Sequence, residues 1–151
     1  EAFALTGRYQ DALNDLNIWT ALRADATEYV YGKHVLYKDL LLSHYSADLA
    51  NEDHFINSRY NASKFTATGD ELRFQKALIL AILDARKLEF LREGIRHFDI
   101  LRWFIPVYHA TADGQRSELT PEDDRRVIQL PQVVSLSGVE QNPWSNVGAW
   151  Y

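Results

Sequence analysis

The sequence has no cysteine among its 151 residues. It can therefore form no disulfide, hold no metal through a thiolate and use no thiol nucleophile. A long apolar run is missing as well. The longest uninterrupted one extends from Ala77 to Leu83, whereas a membrane-spanning helix requires roughly 18 or more apolar residues. We therefore expect no membrane-spanning segment in these residues.

A surplus of positive charge is also missing. The chain has 16 Lys and Arg residues against 21 Asp and Glu residues, which gives a net charge of −5 and a pI near 5.5. Because nucleic-acid-binding proteins neutralise phosphates with clustered basic side chains, the composition argues against a nucleic-acid partner. Hydrophobic residues at 46% and aromatic residues at 13% suffice for the core of one domain, or of part of a larger one.

The patterns that indicate metal or cofactor chemistry are not found. No histidine stands four residues from another, and the chain has no His-Glu-x-x-His string, no glycine-rich phosphate loop and no nucleophile elbow. The sequence therefore predicts neither a metal site nor a cofactor. The five histidines are His34, His44, His54, His97 and His109.

The stretch from Ala77 to Trp103 is the one around which we expect the chain to be organised. Its first half is apolar on two neighbouring helical faces, which predicts a helix buried on more than one side. Thr68 and Glu71 fit a capping box that would start this helix. In the second half, acids and arginines recur every three or four residues. Gly94 lies among them and indicates a bend or a helix junction, since glycine costs about 1 kcal/mol in a helix interior.

The rest of the chain gives weaker patterns. We predict an amphipathic helix from Thr6, as its N-cap, to about Ala24, and a short helix over Val35 to Leu42. Residues 25–69 are otherwise hard to interpret, and the polar stretch from Asn51 to Thr68 is predicted as a long loop. The later predictions are an exposed excursion over Thr111 to Asp124, an edge strand over Arg126 to Leu130, and a tail over Ser135 to Tyr151 that buries Trp144 and Trp150.

The string from Arg86 to Trp103 reads RKLEFLREGIRHFDILRW. It resembles the C-terminal hallmark of the SusD/RagB family, surface lipoproteins that bind nutrients, mostly glycans. Pieces at 12–24, 128–131 and 141–143 follow the family's order. The hallmark positions are Arg86, Glu89, Phe90, Glu93, Gly94, Arg96, Phe98, Asp99, Arg102 and Trp103.

The resemblance implies a mainly α, SusD-like fold with tetratricopeptide-like helix packing, long loops and a little β structure. Residues 1–151 would form the C-terminal part of such a domain, without the family's N-terminal helical hairpins and lipid-bearing cysteine. The implied function is non-enzymatic: binding of glycans or other nutrients at the bacterial outer membrane and delivery to a SusC-like, TonB-dependent transporter. Contact with the membrane would be through a lipid anchor that these residues do not include.

Ligand-binding candidates come from residues 25–69, where we expect aromatic rings to be exposed. Aromatic rings stack on sugar rings, and neighbouring polar groups bond the hydroxyls. Trp19 and Trp103 lie on helical stripes, so we assign them to the core. The candidates are Tyr29, Tyr31, Tyr37, Tyr45, Asn57, Arg59 and Tyr60.

Two other interpretations remain open. Paired carboxylates such as Glu89 and Asp99 are what glycoside hydrolysis requires. However, Glu89 and Glu93 share a helix face with arginines, which keeps carboxylates ionised, whereas a general acid needs a raised pKa. We therefore interpret these acids and arginines as an ion-pair network and predict no catalytic residue. A helical scaffold that binds a protein partner is the other alternative.

Overall fold

A computed structural model describes residues 1–90, 95–110 and 116–123 of the chain. The chain divides into two units, residues 1–103 and 104–151. No helix among the described residues is long and apolar enough to cross a membrane.

Within its described residues, the first unit contains eight α-helices and a short 3-10 helix at Phe55–Asn57. The α-helices are α1 Ala2–Leu5, α2 Tyr9–Leu22, α3 Ala24–Tyr31, α4 Lys38–His44, α5 Ser46–Ala50, α6 Arg59–Ala62, α7 Gly69–Glu89 and α8 Ile95–Arg102. The second unit contains an antiparallel pair, β1 Val107–Ala110 and β2 Arg116–Leu119. The prediction of a mainly α fold with a little β structure is confirmed.

Helix α7 is the centre of the first unit. Every residue from Ala77 to Leu83 is buried, and the helix packs against α1, α2, α4, α5 and α8. A helix enclosed in this way buries its apolar residues on all sides, as the apolar run predicted. The prediction that this helix is buried on more than one side is confirmed.

The predicted helix starts are partly wrong. Helix α7 does begin directly after Thr68, which is extended at φ −131° and ψ 160°, but no side chain caps it, so the capping box is not formed. Thr6 does not cap α2. Its hydroxyl donates to the carbonyl of Ala2 at 2.9 Å, at the end of α1. Gly7, at φ 81°, then turns the chain, and α2 begins at Tyr9.

The short helix predicted from Val35 begins instead at Lys38. The side-chain amide of Asn17 bonds both backbone groups of Leu36: its oxygen accepts from the Leu36 N–H at 2.7 Å, and its nitrogen donates to the Leu36 carbonyl at 2.9 Å. The backbone groups of Leu36 are thus bonded outside a helix. Tyr37 is extended and precedes the first turn of α4.

The stretch from Asn51 to Thr68, predicted as loop, contains the 3-10 helix and α6. Helix α3 was also missed. These elements are too short to show a periodic pattern. Buried or half-buried amides hold them by main-chain atoms. Asn61 donates to the carbonyls of Phe55 and Trp103 at 2.8 and 2.7 Å. Gln75 accepts from the N–H of Ala67 at 3.4 Å, and it also donates to the carbonyl of Ala4 in α1 at 2.9 Å.

The carboxylate of Asp99 joins α8 to α7. It is completely buried. The Nε of Arg86 donates to both of its oxygens at 3.0 Å, and the Nη2 of Arg102 donates to its Oδ1 at 2.9 Å. The Nη1 of Arg96 lies 3.9 Å from Asp99 Oδ2. Because a buried charge is tolerated only when it is paired and hydrogen-bonded, these arginines make the burial of Asp99 possible.

Other hallmark residues lie around this carboxylate. Trp103 is completely buried, as predicted, whereas Phe98 is 61% exposed. The guanidinium of Arg86 lies 5.0 Å from the ring centre of Phe90. Glu93 and the bend predicted at Gly94 lie outside the described residues.

In the second unit, β1 and β2 pair with Val107 opposite Leu119 and Ala110 opposite Arg116. Part of the stretch 111–124, which was predicted as an exposed excursion, forms strand β2 at Arg116–Leu119, and Glu118 in this strand is exposed. The strand predicted at 126–130 and the tail with Trp144 and Trp150 lie outside the described residues.

Replacing Asp99 by Asn should lower the free energy of unfolding by about 3 kcal/mol, because it removes the buried negative charge on which the half-buried Arg86 and Arg96 and the more exposed Arg102 converge. Urea denaturation measures the difference. Asp11 provides the matched control, since its ion pair with Arg8 is half exposed and Asp11→Asn should cost less than about 1 kcal/mol. Equal losses in the two variants would contradict a buried role for Asp99.

Candidate functional site

A cavity of about 190 Å³ opens between α2, α3 and α7. Typical ligand pockets measure roughly 300–1,000 Å³, so this cavity has room for one ring-sized group. Its principal lining residues are Trp19 from α2, Val30 and Tyr31 from α3, and Asp84, Lys87 and Leu88 from α7.

Trp19 provides an aromatic wall that is held in place by Glu89. The indole Nε1 donates to Glu89 Oε1 at 2.8 Å. Arg23 reaches the same carboxylate, with its Nε 2.9 Å from Oε1 and its Nη2 3.2 Å from Oε2. The hydrogen bond from Trp19, assisted by Arg23, outweighs desolvation and holds the pKa of Glu89 below its usual value. The acid therefore stays ionised, and the indole keeps one orientation.

Asp84 is the carboxylate of the cavity and is bonded by Tyr45, which is itself bonded by Tyr31. The hydroxyl of Tyr45 donates to Asp84 Oδ2 at 2.7 Å, and the hydroxyl of Tyr31 lies 2.8 Å from that of Tyr45. Because the proton of Tyr45 goes to Asp84, Tyr31 is the donor in the second bond. We call this chain of bonds from Tyr31 through Tyr45 to Asp84 the tyrosine relay.

Burial keeps both tyrosines of the relay neutral. Desolvation raises the pKa of Tyr31 to about 12, with a contribution from the charge of Asp84. Desolvation also raises the pKa of Tyr45, and the neighbouring Tyr31 and Asp84 add to that shift. Both hydroxyl protons therefore remain available for the relay at neutral pH.

The predicted ligand tyrosines do not form one site. Tyr29 is 92% exposed and Tyr37 is 47% exposed, as expected for residues 25–69. The expected exposure of Tyr31 and Tyr45 is wrong, because both are buried and the ring of His44 packs at 4.7 Å from each of their ring centres. Tyr31 still lines the cavity.

The predicted polar partners lie elsewhere in the first unit. The amide of Asn57 donates to the carbonyl of Asn51 at 2.7 Å and accepts from Lys76 Nζ at 2.9 Å, so its bonding capacity serves the fold. The guanidinium of Arg59 lies over the ring of Tyr60 at 4.9 Å and donates to its hydroxyl at 2.8 Å. None of these residues lines the cavity.

Sequence reasoning missed the cavity itself. Trp19 was assigned to the core, although it is only half-buried, and neither Asp84 nor Lys87 was selected. A signal was present. Asp84 stands seven residues after Ala77 and three after Ala81, so it lies on a buried face of α7. A carboxylate on such a face needs a partner and marks a candidate site.

The hydrolase alternative required Glu89 and Asp99 as paired carboxylates. The structure instead places each against arginines: Glu89 against Arg23, and Asp99 against Arg86 and Arg102. A general acid needs a raised pKa, and the pKa of Glu89 is lowered. Among the described residues, no group of three or more His, Asp or Glu side chains is placed to hold a metal ion.

A model of the SusD family matches residues 12–142. This range is most of the chain and includes every residue that lines the cavity. No curated protein and no solved structure matches the chain.

Replacing Tyr45 by Phe should destabilise the first unit by about 1–3 kcal/mol, because Tyr31 loses its acceptor and Asp84 loses its donor. Chemical denaturation measures this change. Tyr29→Phe removes the same atom from an exposed ring and should change stability by less than about 0.5 kcal/mol. If the two variants are equally stable, the relay contributes nothing to the fold.

Glu89 should make stability depend on pH in the acid range. Its folded-state pKa lies below the ordinary value of 4.5, so its stabilising contribution is present above about pH 4.5 and is lost as the pH falls through the lower folded-state value. The difference in melting temperature between the unmodified chain and Glu89→Gln should therefore shrink from pH 6 to pH 3. Trp19→Phe removes the largest cause of the shift and should weaken this dependence. A constant difference across that range would contradict the assignment.

Proposed function

The chain belongs to the SusD family, whose members are binding proteins rather than enzymes and are typical of the outer-membrane surface, and on that premise we propose that it binds glycans or other nutrients there. The bound nutrient would pass to a SusC-like, TonB-dependent transporter. A lipid anchor outside these residues would hold the protein at the surface.

The cavity between α2, α3 and α7 is the observation that carries this proposal. It combines an oriented indole, from Trp19, with an oriented carboxylate, from Asp84. An aromatic ring packs against the apolar C–H face of a pyranose, while a carboxylate accepts hydrogen bonds from its hydroxyls. Because both groups are fixed before a ligand arrives, binding loses little side-chain entropy.

The chemistry of the site supports binding without turnover. Glycoside hydrolysis needs one carboxyl group with a raised pKa and a second carboxylate at a set distance across the scissile bond. Glu89 is engaged by Trp19 and Arg23. Asp84 is engaged by Tyr45. We accordingly propose no catalytic residue and no cofactor.

Exposed apolar residues on α2 support a second candidate, a helical scaffold for a protein partner. Ile18 and Leu22 lie one helical turn apart and are 65% and 71% exposed. Exposed apolar side chains grouped on one surface are typical of interaction sites. The two candidates differ in whether a glycan alone produces a binding signal.

Calorimetric titration with a panel of mono- and oligosaccharides should give saturable heat with at least one glycan. Trp19→Leu should then weaken binding about tenfold, which corresponds to about 1.4 kcal/mol, because the stacking wall is lost. Tyr29→Leu, which removes an exposed ring outside the cavity, should leave the affinity unchanged.

If no glycan in the panel gives a binding heat, the result would favour the protein scaffold instead. Equal losses of affinity in Trp19→Leu and Tyr29→Leu would place the site elsewhere. Turnover of a chromogenic glycoside that Glu89→Gln abolishes would contradict the non-enzymatic assignment.

A further inference from the structure

The polar groups around the cavity are almost entirely acceptors. The indole N–H of Trp19 is donated to Glu89, and the hydroxyl proton of Tyr31 is donated to Tyr45. Val30 and Leu88 have no polar side-chain atoms. Among the lining residues, Lys87 alone keeps spare donors. Away from Lys87, a ligand group that enters the cavity therefore meets acceptors and bonds by donating.

The charge of Asp84 has no cationic partner among the described residues. Within the described part of the chain, no Lys or Arg forms an ion pair with its carboxylate, and the side-chain hydrogen bond that it accepts uses Oδ2 and comes from the neutral phenol of Tyr45. His54 also lies within reach of its charge, but burial lowers the pKa of that imidazole. His54 is consequently neutral at pH 7. A half-buried carboxylate in an apolar cavity attracts any cation that can reach it.

We propose that the cavity binds a protonated amine, so that the nutrient is a small cationic compound such as an amino sugar. This inference rests on the proposed binding function and specifies its ligand class. An ammonium group offers three donors and a full positive charge to Asp84. The neighbouring indole of Trp19 favours a cation through its ring quadrupole. A neutral hydroxyl provides one donor and no charge.

Lys87 gives the inference an independent check. It is exposed at the rim, three residues after Asp84 on α7, and its positive charge opposes the entry of another cation. Removing that charge should strengthen amine binding, whereas it would weaken the binding of an anionic ligand.

The test compares three ligands that share one ring: glucosamine, glucose and N-acetylglucosamine. It is run at pH 6, below the ordinary pKa of an amine, and at low salt. Binding is followed by calorimetry and by the indole N–H resonance of Trp19, which is assigned from its disappearance in Trp19→Phe. Glucosamine should bind at least about tenfold more tightly than either neutral sugar, as expected for one charge-assisted hydrogen bond.

Asp84→Asn should reduce the preference for glucosamine to about twofold or less while retaining the acceptor for Tyr45. Thermal unfolding verifies that the variant folds. Asp39→Asn, which changes an exposed acid on α4, should keep the full preference. Lys87→Gln should increase the affinity for glucosamine about twofold.

A preference that persists in Asp84→Asn would overturn the inference, as would weaker glucosamine binding in Lys87→Gln. If neutral sugars bind as tightly as glucosamine and the binding depends on Trp19, the inference fails while the proposed function stands. If none of these sugars and no larger glycan binds, the proposed function fails as well.

Discussion

The enclosure of α7 is the constraint on which the rest of the first unit depends. Because the run from Ala77 to Leu83 is buried, other helices must cover the helix on every side. Any polar side chain that α7 carries near this run then needs a partner from those helices. Gln75 donates to a main-chain carbonyl of α1, Asp84 accepts from Tyr45, and Glu89 accepts from Trp19. The same constraint therefore creates both the core and the candidate site.

The site is held by interactions that also fix its electrostatics. Glu89 orients the indole of Trp19 and stays ionised because that indole and Arg23 stabilise its charge. The tyrosine relay orients the carboxylate of Asp84, and the burial of its phenols keeps them neutral. The cavity thus presents a fixed aromatic wall and a fixed negative charge, and neither requires rearrangement when a ligand binds.

The sequence allowed the helical fold, the central helix and the acid–arginine string to be predicted, since these depend on periodicity and on a specific local motif. It did not allow the cavity to be predicted, because the defining bonds join distant residues. Trp19 and Glu89 are 70 positions apart, and Tyr45 and Asp84 are 39 apart. Local spacing suggested that Glu89 pairs with arginines of its own stretch. The structure pairs it with Arg23, which no periodic pattern relates to it.

The amides that hold the irregular segments have an evolutionary consequence. The side-chain amides of Asn17, Asn61 and Gln75 form hydrogen bonds with carbonyls and N–H groups of the main chain. Every residue type presents such a carbonyl, and every type except proline presents such an N–H. The residues of a segment anchored in this way can be substituted during evolution while its backbone conformation is kept. The scaffold can therefore diversify what it recognises without being rebuilt.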